Sequence, residues 1–301
     1  MVTEEINASL FYVFDEKPST LFHYTSMEAL LSIVGSGRMR ATHVRYLNDT
    51  TEAAWMWGSV AERLKARQEK QPNDLKKSAI SALIGMIDGR RQCTDFIASF
   101  SENGDDLSQW RAYCSMGNGF SIGFDSDSLC TQWVVDPTGE NPAFVSGKLS
   151  KVRYLSEEAA DLEILLDAIL GVAPHLEGVQ GFNGPLTGPG VALAWLTIMS
   201  STFKHAAFKA EREWRMILAK NHKPMPFQRF RPGKSALIPY IEVELNRDLN
   251  SAPIAPYIIK EVIVSPTPDP SLSVDALKSL FLSLGHPEVE VRPSAIPYRH
   301  W

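Results

Sequence analysis

The spacing of hydrophobic positions changes several times along the chain, and each change predicts an element. Leu21-Phe22-His23-Tyr24 is an apolar run of strand type, and Thr25-Ser26-Met27-Glu28 after it reads as a capping box, a Thr hydroxyl with a Glu three residues later. Leu30, Leu31 and Val34 give the following helix an inward face, and Gly35 and Gly37 offer left-handed stops. Asp49 and Glu52 form a second box before a helix bearing Trp55, Trp57 and Val60, and a third helix is predicted over 75–87. At 95–101 the period becomes two, with Phe96, Ala98 and Phe100 opposite Ile97, Ser99 and Ser101.

Further along, Asp105 or Asp106 caps a short helix holding Trp110 and Tyr113, and Asn118-Gly119 turns into a strand over 120–124. Val152 and Tyr154 mark a strand, 157–170 reads as a helix, and the Gly- and Pro-rich 171–190 as a long connection. Val191, Trp195, Ile198, Met199 and Thr202 have helical spacing, with the helix running to His205 or Phe208. A strand over 211–218 sets Glu211, Glu213 and Arg215 on one face and Trp214, Met216 and Leu218 on the other. After a loop at 223–234 come strands at 238–245 and 258–264, a helix at 274–284 and a strand at 289–292. The expected fold is α+β, a mixed or antiparallel β core flanked by helices. It forms a single elaborated domain over 1–301, with 250–301 as a βαβ-like addition.

Composition narrows the function. With 44% hydrophobic and 22% charged residues over 301, the chain can build a full core. No apolar run approaches the roughly 18 residues of a membrane helix, so no membrane partner is expected. Thirty basic against 35 acidic residues leave a charge of −5, so any attraction for nucleic acid has to be local. Cys93, Cys114 and Cys130 are odd in number and lack C-x-x-C spacing, which predicts a reducing cytoplasm and neither a disulfide framework nor a structural zinc.

Several places can carry chemistry. His23-Tyr24-Thr25 sets an imidazole at a strand end beside a helix N-terminus, where anionic ligands bind, although a hydrogen-bonded structural histidine fits the same spot. Glu211-Arg212-Glu213-Trp214-Arg215 offers two carboxylates and a guanidinium, either a site or a solvated face with an ion pair of little worth. Ser99-Phe100-Ser101-Glu102 places two hydroxyls on one side of a strand, to orient a ligand amide or to decorate an edge. Asn48, Asp49 and Glu52 are explained by capping, with a functional role left open. Basic and aromatic residues interleave at His222, Lys223, Phe227, Arg229, Phe230, Arg231 and Lys234, which suits either polynucleotide contact or an ordinary solvated loop. No G-x-S-x-G, H-E-x-x-H or Walker sequence is present.

In order, Leu21-Phe22-His23-Tyr24-Thr25-Ser26, Asn48-Asp49 with Glu52, and Ser99-Phe100-Ser101-Glu102 with Asp106 resemble a bacterial family, domain of unknown function 2971. Trp110-Arg111-Ala112-Tyr113, Gly119-Phe120, Glu211 to Arg215 and Ser294 to Arg299 continue the resemblance, which spans nearly the whole chain. The order of His-x-Thr, Ser-rich strand and Glu-x-Glu is also similar to the ADP-ribosyltransferase pattern. That resemblance implies NAD as co-substrate, with His23 holding the adenosine-side ribose, Tyr24 or Phe100 contacting nicotinamide, and Thr25, Ser99 and Ser101 supporting the pocket. It further implies Glu213 as the catalytic carboxylate and Glu211 orienting the acceptor, and either Arg215 or the 223–234 loop could then face the pyrophosphate. The middle strand departs from it, reading Ser-Phe-Ser where Ser-Thr-Ser is usual. The acceptor would be a protein or a nucleic acid, in toxin action or phage defence. One alternative is a metal-dependent nuclease using His23, Asp49, Glu211 and Glu213, and another is a non-catalytic nucleotide-sensing or interaction module. The enzymatic reading expects His23 and Glu213 to line one concavity.

Overall fold

The computed structural model describes residues 17–47, 51–89, 96–114, 117–130, 133–134, 147–155, 163, 166–167, 180–181, 184–185, 201–218, 228–233, 235–245 and 258–297. In chain order its elements begin with β1 (Thr20–Ser26), α1 (Met27–Ser36), β2 (Arg38–His43), α2 (Thr51–Lys70), α3 (Asp74–Gly89), β3 (Phe96–Ser101), α4 (Leu107–Tyr113) and β4 (Gly119–Asp125). There follow β5 (Trp133–Val134), β6 (Gly147–Lys151), β7 (Arg153–Leu155), β8 (Gln180–Gly181), β9 (Gly184–Pro185), β10 (Phe203–His205) and β11 (Glu213–Leu218). The chain ends with β12 (Arg229–Pro232), β13 (Leu237–Glu244), β14 (Ile259–Val264), α5 (Ser271–Ser283) and β15 (Glu290–Pro293). The described residues fall into two compact units, one within 44–95 and 153–208 and the other within 16–43, 96–152 and 209–301.

In the first unit, Trp57, Val60, Ala61 and Leu64 recur on one face of α2 and are buried, as are Ile80, Leu83 and Ile87 of α3, so two amphipathic helices supply the core. Arg67 ties α2 to Glu163 and Asp167, each at 2.6 Å. β7 and β10 pair in parallel, and β8 with β9 antiparallel.

The second unit is α+β. Its eleven strands form a sheet in the order β12-β13-β2-β3-β1-β4-β14-β15, with β11 on β3, β6 on β11 and β5 on β13. Pairing is antiparallel except between β14 and β15, which α5 connects as a βαβ crossover. Because β14 also pairs with β4 from Phe120 to Phe124, the C-terminal segment is built into the main sheet. The core under it takes Leu21 and Ile122 from one end, Phe96, Ala98, Phe100 and Trp214 from the middle, Met39, Ala41 and Val243 from the other end, and Leu30 and Phe281 from α1 and α5.

Several boundaries differ from expectation. The strand extends through Thr25, so the N-cap of α1 is Ser26, whose Oγ accepts from Ala29 N, and no Thr25 to Glu28 box forms. Gly37 closes the helix at φ 63°, as foreseen. Residues 203–205 are a strand and Ala206–Glu211 a 3-10 turn, so the helix expected to run to His205 or Phe208 does not include them. β2 was not anticipated, and β12 lies inside the expected loop. Residues 48–50, most of 157–170, and 171–200 apart from β8 and β9 lie outside the described residues.

One clamp fixes the C-terminal segment. Asp105 accepts from the Trp110 indole at 2.8 Å, Ser294 Oγ at 2.6 Å and Ala295 N at 2.7 Å. Asp106 caps α4 through Ser108 N and Gln109 N, and Ile296 packs on Phe22, Tyr24 and Trp110. Asp105→Ala leaves the fully buried Trp110 N–H unpaired and is expected to cost about 1–3 kcal/mol in urea unfolding. It should also speed hydrogen exchange at Ala295 N, and unchanged exchange there would contradict the clamp.

Candidate functional site

β3 is the strand on which the sequence-predicted residues meet. It pairs with β11 over its full length, setting Ser101 opposite Glu213, Phe100 opposite Trp214 and Ser99 opposite Arg215. Alternation puts Ser99, Ser101, Glu213 and Arg215 on one sheet face, here called the outer face, while Phe100 and Trp214 point into the core.

The opposite edge of β3 is shared by two strands that leave it in different directions. β1 meets it only at Phe22 opposite Ser101, and β2 only at Thr42 opposite Ile97 and His43 opposite Phe96. Between those points the sheet forks, and Ala98, Ser99 and Phe100 have no strand partner in register on that edge among the described residues. A carbonyl left open in such a gap costs free energy unless another donor reaches it. His23 does so: its Nδ1 lies 2.9 Å from Ser99 O. A carbonyl only accepts, so Nδ1 carries the proton and Nε2 is left with a lone pair; no partner of Nε2 occurs among the described residues. Burial disfavours the imidazolium and holds the His23 pKa below the ordinary histidine value, only partly offset by the Ser99 carbonyl.

Glu213 and Arg215, two residues apart on one strand, form a bidentate pair, with Arg215 Nε on Glu213 Oε1 at 2.7 Å and Nη2 on Oε2 at 3.0 Å. Glu213 is 5% exposed and Arg215 2%. Arg212 just before them has φ 45°, a left-handed conformation that a non-glycine residue adopts at a cost of about 1–3 kcal/mol. This turn ends the alternation expected over 211–218. The strand begins at Glu213, and Glu211 belongs to the preceding 3-10 turn, so Glu211 is not on the strand face with Glu213.

Other predicted residues are held by the fold. Ser101 Oγ donates to Glu211 O at 2.9 Å and accepts from Asn103 N at 3.1 Å. Tyr24 OH donates to Asn103 O and accepts from Asp106 N, and its ring meets Trp110 edge to face at 4.7 Å. Burial pushes its hydroxyl pKa far up, so Tyr24 is a neutral strut. Thr25 is buried and its carbonyl accepts from the Cys114 thiol, which burial raises to about 11. The Phe100 ring lies in the core against Phe124. Ser99 keeps a hydroxyl with no protein partner among the described residues.

His23 does not share the Glu213 face. It lies opposite Ile122 in register, on the core side with Leu21, and 6.0 Å from the Phe100 ring, whereas Phe22 faces out with Ser101. The expected single concavity is therefore replaced by residues on both sides of the fork. Sequence reasoning missed a further cluster, in which Glu102 Oε1 accepts from the Trp214 indole and from Lys151 Nζ, each at 2.9 Å. Burial pushes the Glu102 carboxyl up, but these two partners outweigh it and hold it below the ordinary range. Its signal was the register of Trp214 opposite Lys151, which composition does not reveal. Among the described residues no group of three or more His, Cys, Asp or Glu is arranged to hold a metal ion, and Asp49 lies outside them. No helix among them is long and apolar enough to cross a membrane.

Residues 109–216 match the model of a family described as "Protein of unknown function (DUF2971)". The match bears out the family resemblance. It includes Trp110 to Tyr113 and Glu211 to Arg215, while His23 and Ser99 to Glu102 precede it. No curated protein and no solved structure matches the chain.

Two outcomes follow from this geometry. His23 binds a proton more weakly folded than unfolded, so protonation favours unfolding; its effect is absent above about pH 6.5 and grows as pH falls from there through the lower native value. His23→Asn keeps a donor near the Nδ1 position and should lose less stability over that window than the wild type in urea titrations; parallel losses would contradict the assignment. Arg215→Met removes the bidentate partner of a buried carboxylate and should cost about 3–5 kcal/mol in urea unfolding. A cost under about 1 kcal/mol would show the pair to behave as an exposed one.

Proposed function

We propose that the chain binds NAD at the β3 fork and transfers ADP-ribose from it to an acceptor. The observation that supports this is the fork, where β3 and β11, distant in sequence, bring Ser99 and Glu213 to adjacent strands on one face beside an unpaired stretch of sheet edge. The Ser99 hydroxyl, beside a sheet edge with no strand in register, suits a carboxamide. His23 lies on the core side and acts only through the Ser99 carbonyl, so the ligand would meet Ser99 and Glu213 on the outer side.

NAD supplies a C1′–N bond whose cleavage returns its electron pair to a cationic pyridinium nitrogen, so departure of nicotinamide needs no general acid. One carboxylate then suffices, in contrast to ordinary glycoside hydrolysis. Glu213 would stabilise positive charge growing at the anomeric carbon, and Arg215 fixes both its oxygens so that little reorganisation accompanies that change. The acceptor's lone pair forms the new bond to C1′, and its proton passes to solvent. A second reading, a non-catalytic module that senses a nucleotide, is favoured by the engagement of Glu213 with Arg215.

Nicotinamide release from NAD separates the two. Wild-type chain is expected to release it, and Glu213→Gln to fall by about 10²–10³ while still binding NAD, assayed below its melting temperature because the change disturbs a buried pair. Binding without release by the wild type supports the sensing module, and failure to bind NAD removes the transferase.

A further inference from the structure

The outer face beyond β2 carries a second feature that the NAD reading does not use. In register, Thr42 lies opposite Tyr240, Arg40 opposite Glu242 and Arg38 opposite Glu244, while Arg229 lies opposite Tyr240 and Arg231 opposite Ile238. Thr42 is also opposite Ile97 of β3, so all of these share the face of Ser99 and Arg215. Met39, Ala41, Ile241 and Val243 occupy the core side. The result is four arginines against two glutamates on one partly exposed stretch of sheet, Arg40 being the exposed residue and the other five half-buried, in a chain whose net charge is −5.

The carboxylates do not cancel this face. Glu242 serves two arginines at once, at 3.1 Å from Arg229 and 3.8 Å from Arg38. Arg40 and Arg231 have no carboxylate partner among the described residues, and the Arg40 guanidinium lies 4.9 Å from the centre of the Tyr240 ring. Every cation here is an arginine, whose planar fork binds phosphate oxygens in pairs and stacks on bases in a way an ammonium does not. Residues two apart on a strand repeat every ~6.7 Å, and the rows on β2 and β12 lie two strand spacings, about 9.5 Å, apart across β13. A sheet face of this kind meets a single strand with splayed bases, whereas duplex grooves call for a protruding helix or ribbon.

We infer that the outer face of β2, β13 and β12 binds single-stranded nucleic acid, with Arg40 and Arg231 as its uncommitted phosphate contacts. This does not depend on the NAD reading, and its test uses no NAD. The full chain is titrated into a labelled oligothymidylate of about 20 nucleotides, and anisotropy is followed from about 50 to 300 mM NaCl. With two to four phosphates neutralised, log Kobs should fall against log salt with a slope of about −1.4 to −2.8. Arg40→Glu with Arg231→Glu should weaken binding at least about tenfold and flatten the slope. Lys278→Glu, an exposed position on α5, should change affinity less than about twofold. Melting temperatures of all variants establish that they are folded. The inference is overturned by no saturable binding at the lowest salt, by equal losses from Lys278→Glu, or by poly-glutamate competing as well as the oligonucleotide, which would assign the face to an acidic protein.

Discussion

A forked sheet is the constraint from which the rest follows. β3 can satisfy one edge with β11, but its other edge is divided between β1 and β2, and the backbone at Ser99 falls in the gap. His23 closes part of that gap by donating to the Ser99 carbonyl. An imidazole serves where an aliphatic side chain would leave the carbonyl unpaired, and it presents a second nitrogen beyond the one it spends.

The outer side of β3 is organised by another economy. Glu213 and Arg215 are buried where an ion pair stabilises little in net terms but is expensive to break, so they act as a matched unit. The left-handed turn at Arg212 sets where the strand begins, and its carbonyl accepts from Glu102 N. Glu102 in turn holds Trp214 and Lys151, so the acidic end of β3 is fixed on both sides. A rigid carboxylate of this kind suits electrostatic stabilisation of a growing cation, and also suits plain structure; chemistry at the fork distinguishes the two.

Much of this was legible in the chain. The alternation of Phe96, Ala98 and Phe100 marked β3, the caps at Asp106 and Gly37 marked helix ends, and Val289 to Arg292 with the helix before it marked the crossover. β2 also alternates, with Arg38, Arg40 and Thr42 against Met39 and Ala41, but six residues directly after a glycine stop are easily read as a loop. The strand predicted from Glu211 was too long because alternation assumes extended backbone, which Arg212 leaves. The facing of His23 was hidden because both sides of β1 are apolar, Leu21 packing in one cluster and Phe22 with Tyr24 in another, so period two could not tell inner from outer. The fork depends on register between strands far apart in sequence, and no local pattern encodes that.

The most direct measurement is a crystal structure of the chain soaked with NAD or a non-hydrolysable analogue at saturating concentration. The account predicts density on the outer side of the gap between β1 and β2, within hydrogen-bond reach of the Ser99 hydroxyl. A bound dinucleotide seated elsewhere, or an unaltered gap under saturating ligand, would contradict it.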